Sequence, residues 1–230
     1  MRTLGIIGGL GPESTIDYYR SIIQGVRERR PKGGNPHLVI NSLDVDEVIA
    51  LLDMGRQEEL ADYIAQGVEA LVRAGVELGC IAANTPHLVF DEVERRSQIP
   101  LISIVRATVR HAQSLGLKKV GLLGTGFTMR ARFYPEELQR ADIALVTPTE
   151  PERQLIHQKY IGELLKNQFL PETKAAILRV AQRMRSQEGV GAIVLAGTEL
   201  PLLLRGSEAD VQFLDSTLIH VKAIVDALLA

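Results

Sequence analysis

The chain of 230 residues is 46% hydrophobic and 23% charged, contains no tryptophan, and is long enough for one large α/β unit or two small lobes. A net charge of −2 gives no global pull toward a nucleic-acid backbone or an anionic membrane, so neither is an expected partner. The single cysteine, Cys80, excludes an intrachain disulfide, a CxxC redox pair and a cysteine-rich zinc site, and no apolar run approaches the roughly 20 residues of a bilayer span, so a reducing, cytoplasmic setting is expected.

In chain order, MRTLGIIGGL predicts a strand buried on both faces, closed by a tight turn at Gly8, Gly9 and Gly11. The opening residues lack a charged-then-apolar pattern with a cleavage site, so no secretory leader is expected. Pro12 stands where a helix begins, and Ile16, Tyr19, Ile22, Ile23 and Val26 recur at helical spacing until Pro31, Gly33 and Gly34 end it. A strand over 37–42, a helix through Leu60, Ile64, Leu71 and Val72, and a strand over 77–83 continue the alternation. This order predicts a parallel sheet with right-handed crossovers.

Laid on itself, the chain shows an internal repeat. LGIIGGLGP at 4–12 aligns with VGLLGTGFT at 120–128, and GVELGCIAANT at 75–85 with GVGAIVLAGTE at 189–199, at offsets of 116 and 114. Two similar offsets predict two pseudo-symmetric α/β lobes, each a parallel sheet flanked by helices: residues 1–98 with 209–230, and residues 99–208. Residues 99–105 read as the crossover, and the amphipathic stretch 217–229 as packing back on the first lobe. The matched strands end in small or polar residues: Gly8, Gly9 and Gly11 with Ala83, Asn84 and Thr85, and Gly124, Thr125 and Thr128 with Gly197, Thr198 and Glu199. Open α/β sheets bind ligands beyond the carboxyl ends of their strands. Two half-sites across a cleft are therefore expected, with helix N-termini offering N–H donors to a small carboxylate.

Other patterns carry less. GGLGPES is a poor dinucleotide fingerprint, no Walker sequence occurs, and His37, His87, His111, His157 and His220 lack metal-ligand spacing. Cys80, inside the third strand, reads as a small buried hydrophobe. His87 follows the turn Asn84-Thr85-Pro86, and either binds nearby backbone or has a functional role. The run Arg27, Arg29, Arg30 and Lys32 reads as a solvated helix end.

ANTPH at 83–87, GTELPLL at 197–203 and GGLGPEST at 8–15 resemble the aspartate/glutamate racemase family, as do NS at 41–42, LLGTGFTMRARFY at 122–134 and the segment 215–220. The likeness covers essentially the whole chain. It implies two pseudo-symmetric lobes, a cleft site, no pyridoxal phosphate or metal, a homodimer, and inversion of an amino acid at its α-carbon by two opposed cysteines. By the motif those cysteines would stand at Ala83 and Gly197, and neither residue can carry a proton on its side chain. Resemblance assigns Asn84, Thr85 and Thr198 to the substrate carboxylate, Gly9 and Pro12 to the loop approaching it, and Thr125, Thr128 and Lys166 to the opposite wall. A cation that some members place after the second strand has no counterpart, since Val48 and Leu51 are apolar. Two readings stay open: a cofactor-independent racemase or epimerase using another acid/base pair, with His87 and Glu199 as candidates, or a catalytically silent protein that binds an amino acid or dicarboxylate. Cysteines placed at 83 and 197 would test the geometry, with Gly197 expected to resist a side chain if its φ is positive.

Overall fold

The apolar opening run forms β1 (Leu4–Gly8), buried along its whole length. In the computed structural model, which describes residues 1–206 and 211–230, Gly9 and Gly11 take φ values of 80° and 147° to turn the chain into α1 (Pro12–Arg29), where Pro12 occupies the first turn. The chain continues through β2 (Leu38–Ser42), α2 (Val45–Asp53), α3 (Gln57–Arg73), β3 (Leu78–Ile81), a 3₁₀ turn (Thr85–Val89), α4 (Phe90–Arg96) and β4 (Leu101–Ile102). These strands form one parallel sheet in the order β2-β1-β3-β4, with Leu4 level with both Leu38 and Leu78.

The second half repeats the plan: α5 (Ile104–Ser114), β5 (Lys119–Gly124), α6 (Gly126–Arg130), α7 (Phe133–Arg140), β6 (Ala144–Val146), α8 (Glu150–Gly162), a 3₁₀ turn (Leu164–Lys166), α9 (Pro171–Glu188), β7 (Ala192–Ala196), α10 (Glu199–Leu204) and β8 (Phe213–Asp215), followed by α11 (Ser216–Leu229). Its sheet has the order β6-β5-β7-β8, again all parallel, so β5 and β7 hold the positions that β1 and β3 hold in the first sheet. The segments that align within the sequence are these two pairs of central strands. Their apolar composition follows from burial on both faces.

Two units result, residues 1–104 with 217–230 and residues 105–216. The first boundary falls beyond the expected residue 98, because β4 pairs with β3 and belongs to the first sheet; the expected boundary at 208/209 lies outside the described residues. In unit 1, one face of the sheet packs Leu4, Ile6, Leu78 and Cys80 against Tyr18, Ile22 and Val26 of α1 and Val221, Ile224, Val225 and Leu228 of α11. The other face packs Ile7 and Ile81 against Leu60, Ile64 and Leu71 of α3 and Val93 of α4. In unit 2, Leu123, Ile193 and Leu195 meet Ile156 and Tyr160 of α8 and Ile177 and Met184 of α9. A buried polar chain ties α11 down: Tyr18 Oη lies 2.8 Å from His220 Nδ1, and His220 Nε2 lies 2.9 Å from the Ile102 carbonyl.

The buried stripe of α1 differs from the expected one. Ile16 and Tyr19 are 43% and 47% exposed, whereas Thr15, Tyr18, Ile22 and Val26 turn inward at spacings of three and four. Tyr18 enters because His220 accepts its hydroxyl, an interaction invisible to hydrophobic spacing. The third strand is shorter than 77–83, ending at Ile81, so that residues 82–84 form the turn. Among the described residues no helix is long and apolar enough to cross a membrane.

Candidate functional site

In unit 1, β1 and β3 are neighbours in register at Ile7 and Ile81, so the chain leaves both strands side by side. The Ala82 N–H donates to the Ile7 carbonyl at 2.8 Å and holds the two exits together. The first exit is compressed. A Cβ on Gly9 would lie 2.2 Å from the Leu43 carbonyl oxygen, so only glycine fits its positive φ and its close approach to β2. The Gly9 N–H donates to Thr15 Oγ1 at 2.9 Å, and that hydroxyl donates to the Gly11 carbonyl at 3.1 Å. Pro12 is exposed on the first turn of α1. Ser14 Oγ in that turn is buried without a partner.

The second exit carries Ala83, Asn84, Thr85 and His87. Asn84 is 2% exposed and starts the 3₁₀ turn, its carbonyl accepting from the His87 N–H at 2.9 Å. The imidazole is bound by backbone on both edges: Nε2 accepts from the Ile104 N–H at 3.3 Å, and Nδ1 lies 3.0 Å from the Ala83 carbonyl. An acceptor at Nε2 leaves the proton on Nδ1, which donates to Ala83. The ring also stacks on Phe90 at 4.6 Å. His87 thus joins the Ala83 turn to the start of α5. To shuttle a proton it would have to release one of these bonds.

Unit 2 repeats the arrangement with β5 and β7, in register at Gly124 and Ala196. Thr125 caps α6: its Oγ1 accepts from the Thr128 N–H at 3.1 Å and donates to Thr128 Oγ1 at 3.2 Å, with both residues buried. At the β7 exit stand Gly197, Thr198 and Glu199. Lys166, also in unit 2, ends its 3₁₀ turn exposed to solvent.

Gly197 is not among the glycines with positive φ, so its backbone would accept another residue. Space is what opposes one. A Cβ there would lie 2.5 Å from Tyr160 Cε2, 2.8 Å from Tyr160 Oη and 2.9 Å from Tyr160 Cζ. Tyr160, brought in by α8 and 3% exposed, is the functional candidate that sequence reading missed. Its hydroxyl donates to Glu199 Oε2, which also accepts from Thr198 Oγ1 at 3.1 Å, and the Glu199 N–H donates back to Tyr160 Oη at 3.3 Å. Glu199 Oε1 is buried with no partner. Burial raises the Glu199 carboxyl above the usual carboxylate range, outweighing the hydrogen bonds from Tyr160 and Thr198. Burial, reinforced by the adjacent carboxylate, holds the Tyr160 phenol well above its ordinary value.

Cys80 takes no part. Burial pushes its thiol up to about 12, as befits a core residue, and no metal-binding cluster of His, Cys, Asp or Glu occurs among the described residues.

Three comparisons bear on this geometry. The family model described as Asp/Glu/Hydantoin racemase matches residues 7–224. A candidate Asp/Glu racemase from Yersinia pestis superposes with a TM-score of 0.89 at 32% identity, and an aspartate racemase homologue from Pyrococcus horikoshii OT3 with 0.81 at 35%, each over 100% of both chains. The broad specificity amino-acid racemase RacX of Bacillus subtilis (strain 168) is 23% identical over 99% of this chain and 98% of its own.

Proposed function

The chain belongs to the Asp/Glu/hydantoin racemase family, and on that premise we propose that it moves the α-proton of a small amino acid, inverting the α-carbon without a cofactor. The observation that carries this reading is that the family match runs through both central strand ends of both sheets, and that these ends present buried polar groups: Asn84, Thr125, Thr128, Thr198 and Glu199. Buried hydroxyl and amide groups at strand exits suit a carboxylate, because donors fixed by the fold need no reorganisation when negative charge develops at the α-carbon. In this reading Asn84 and Thr85 hold the carboxylate together with Thr198, which acts through its backbone because its hydroxyl donates to Glu199, while Gly9 and Pro12 shape the approach and Thr125 and Thr128 meet the rest of the ligand. Lys166 reaches in only if its exposed side chain folds back.

A second reading is favoured by one observation. Ala83 and Gly197, the positions where the resemblance calls for thiols, carry no titratable side chain. It makes the protein a binder of an amino acid or dicarboxylate without turnover. Incubation with L- and D-amino acids in D₂O, followed by NMR of the α-proton and chiral chromatography, separates the two. Exchange or inversion of any member supports the racemase, and binding by calorimetry without exchange supports the binder. The proposal extends to a homodimer, which sedimentation equilibrium tests directly.

A further inference from the structure

We propose that Tyr160 is a catalytic residue of this chain, its phenol carrying the α-proton at the β7 exit while Glu199 receives and returns the phenol proton. This rests on the racemase reading above. Three observations lead to it. The phenol oxygen and ring edge stand within 2.5–2.9 Å of where the first side-chain atom of residue 197 would be, so the phenol holds the place that this strand end would otherwise give to residue 197. That phenol hydrogen-bonds to Glu199 Oε2 and is itself held by the Glu199 N–H at 3.3 Å, so a proton has a direct path between the two groups. The other carboxyl oxygen, Oε1, is buried and unpartnered, whereas the large majority of buried polar atoms have a partner, so the group calls for an explanation.

At this face of the α-carbon the proton count closes within the pair. In the deprotonating direction the α C–H bond breaks and its electron pair stays on the α-carbon, delocalised into the substrate carboxyl group. The α-proton bonds to the phenol oxygen as the phenol's own proton moves to Glu199 Oε2. In the reverse direction the phenol proton forms the new C–H bond and the Glu199 proton replaces it on the phenol. Each passage adds or removes one proton at the carboxyl, and the phenol ends as it began. No cofactor or oxidant enters. In its ionised form the carboxyl is the acceptor this step needs, and burial, which raises it above the usual carboxylate range, makes it a stronger base than an exposed carboxylate. Thr198, donating to the same Oε2 at 3.1 Å, is the positioning residue that keeps the carboxyl aimed at the phenol.

The test measures α-proton exchange in D₂O on both enantiomers of aspartate, glutamate, alanine and lysine, with binding by calorimetry. Four proteins are compared: the parent, Tyr160→Phe, Glu199→Gln, and the double variant Tyr160→Ala, Gly197→Cys. Tyr160→Phe keeps the ring and removes only the oxygen. It is expected to bind as the parent does and to exchange at least about 10²-fold more slowly. Glu199→Gln should abolish the acid-side limb of the pH–rate profile, which a merely structural carboxyl would not set. The double variant, with a thiol in the space the ring leaves, should recover exchange relative to Tyr160→Phe. Parental exchange by Tyr160→Phe overturns this inference and leaves the racemase reading standing. A parent that exchanges none of the amino acids overturns both. If Tyr160→Phe does not fold, the double variant and the Glu199→Gln profile decide: no exchange in the former with an unaltered profile in the latter refutes the assignment.

Discussion

Adding one methyl group at residue 197 tests the contact between Gly197 and Tyr160 apart from any chemistry. In Gly197→Ala the new Cβ meets three Tyr160 atoms at 2.5, 2.8 and 2.9 Å, all below the separation that carbon or oxygen tolerates. The obstacle is the edge of a ring that is 3% exposed and held by its hydroxyl, so it cannot swing away as the end of a flexible side chain would. Overpacking of this kind costs about 1–3 kcal/mol. Against it, replacing a glycine whose φ is not positive restricts the unfolded chain and returns about 0.4–1 kcal/mol. The net loss is between about 0 and 2.6 kcal/mol, centred near 1.3 kcal/mol, which corresponds to a fall in Tm of roughly 3–5 °C at that centre for a chain of this size. In a Tyr160→Ala background, itself costing about 3–5 kcal/mol, the same methyl enters open space and Gly197→Ala becomes neutral or stabilising. The coupling energy of the cycle is therefore expected at about 1–3 kcal/mol. Urea unfolding of the parent, both single variants and the double measures it. Equal costs of Gly197→Ala in the two backgrounds would refute the claim that the ring fills the place of a side chain at 197.

The same geometry governs thiol restoration: Ala83→Cys with Gly197→Cys should gain α-proton exchange only once Tyr160 is shortened to alanine, as the D₂O assay will read. His87→Gln is expected to lower the urea midpoint by an amount equivalent to about 1–3 kcal/mol, because the imidazole's bonds to the Ala83 carbonyl and the Ile104 N–H and its stacking on Phe90 are lost; its exchange rate per folded molecule should match the parent's, and a selective loss of rate would restore His87 as a proton carrier. Glu199 has a folded-state pKa above its ordinary 4.5, so the native state holds the extra proton and stability falls as pH rises from 4.5 toward the folded value. Glu199→Gln should flatten that part of the stability–pH curve, and unchanged curvature in urea titrations across this range would contradict the buried, raised carboxyl.

The duplicated plan was legible because it rests on strands buried on both faces. Leu4 to Gly8 and Lys119 to Gly124 resemble each other through a shared environment, and their common place second in each sheet bears that out. Gly9 and Gly11 were readable for a different reason, since a turn that tight has few solutions without a Cβ. Apolar spacing misled at α1, where Tyr18 is drawn inward by a histidine 202 residues away and Ile16 and Tyr19 are left in water. At the candidate site, the strand-end residues could be singled out from their positions after strands. Tyr160 could not. Its meaning lies in the absence of a side chain at Gly197, 37 residues later and on another element, and no local pattern links an aromatic residue on α8 to the volume that a distant glycine leaves. A buried glycine just past a central strand, where the aligned half of the chain has a residue with a Cβ, is the signal that could have prompted a search for what fills the space.

The place of α11 in the chain bears on how the protein emerges from the ribosome. Unit 2 is continuous, from residue 105 to 216, but unit 1 needs both the first 104 residues and residues 217–230. Until α11 is made, the inward stripe of Tyr18, Ile22 and Val26 lacks the four apolar side chains that cover it, and Tyr18 lacks His220. At about 5–20 residues per second, synthesis of the intervening segment and α11 takes roughly 6–25 s. The half begun first is thus completed last. For that interval the nascent chain displays an uncovered apolar seam on unit 1 after every residue of unit 2 has been made, a natural opening for a chaperone and for mispairing with other nascent copies.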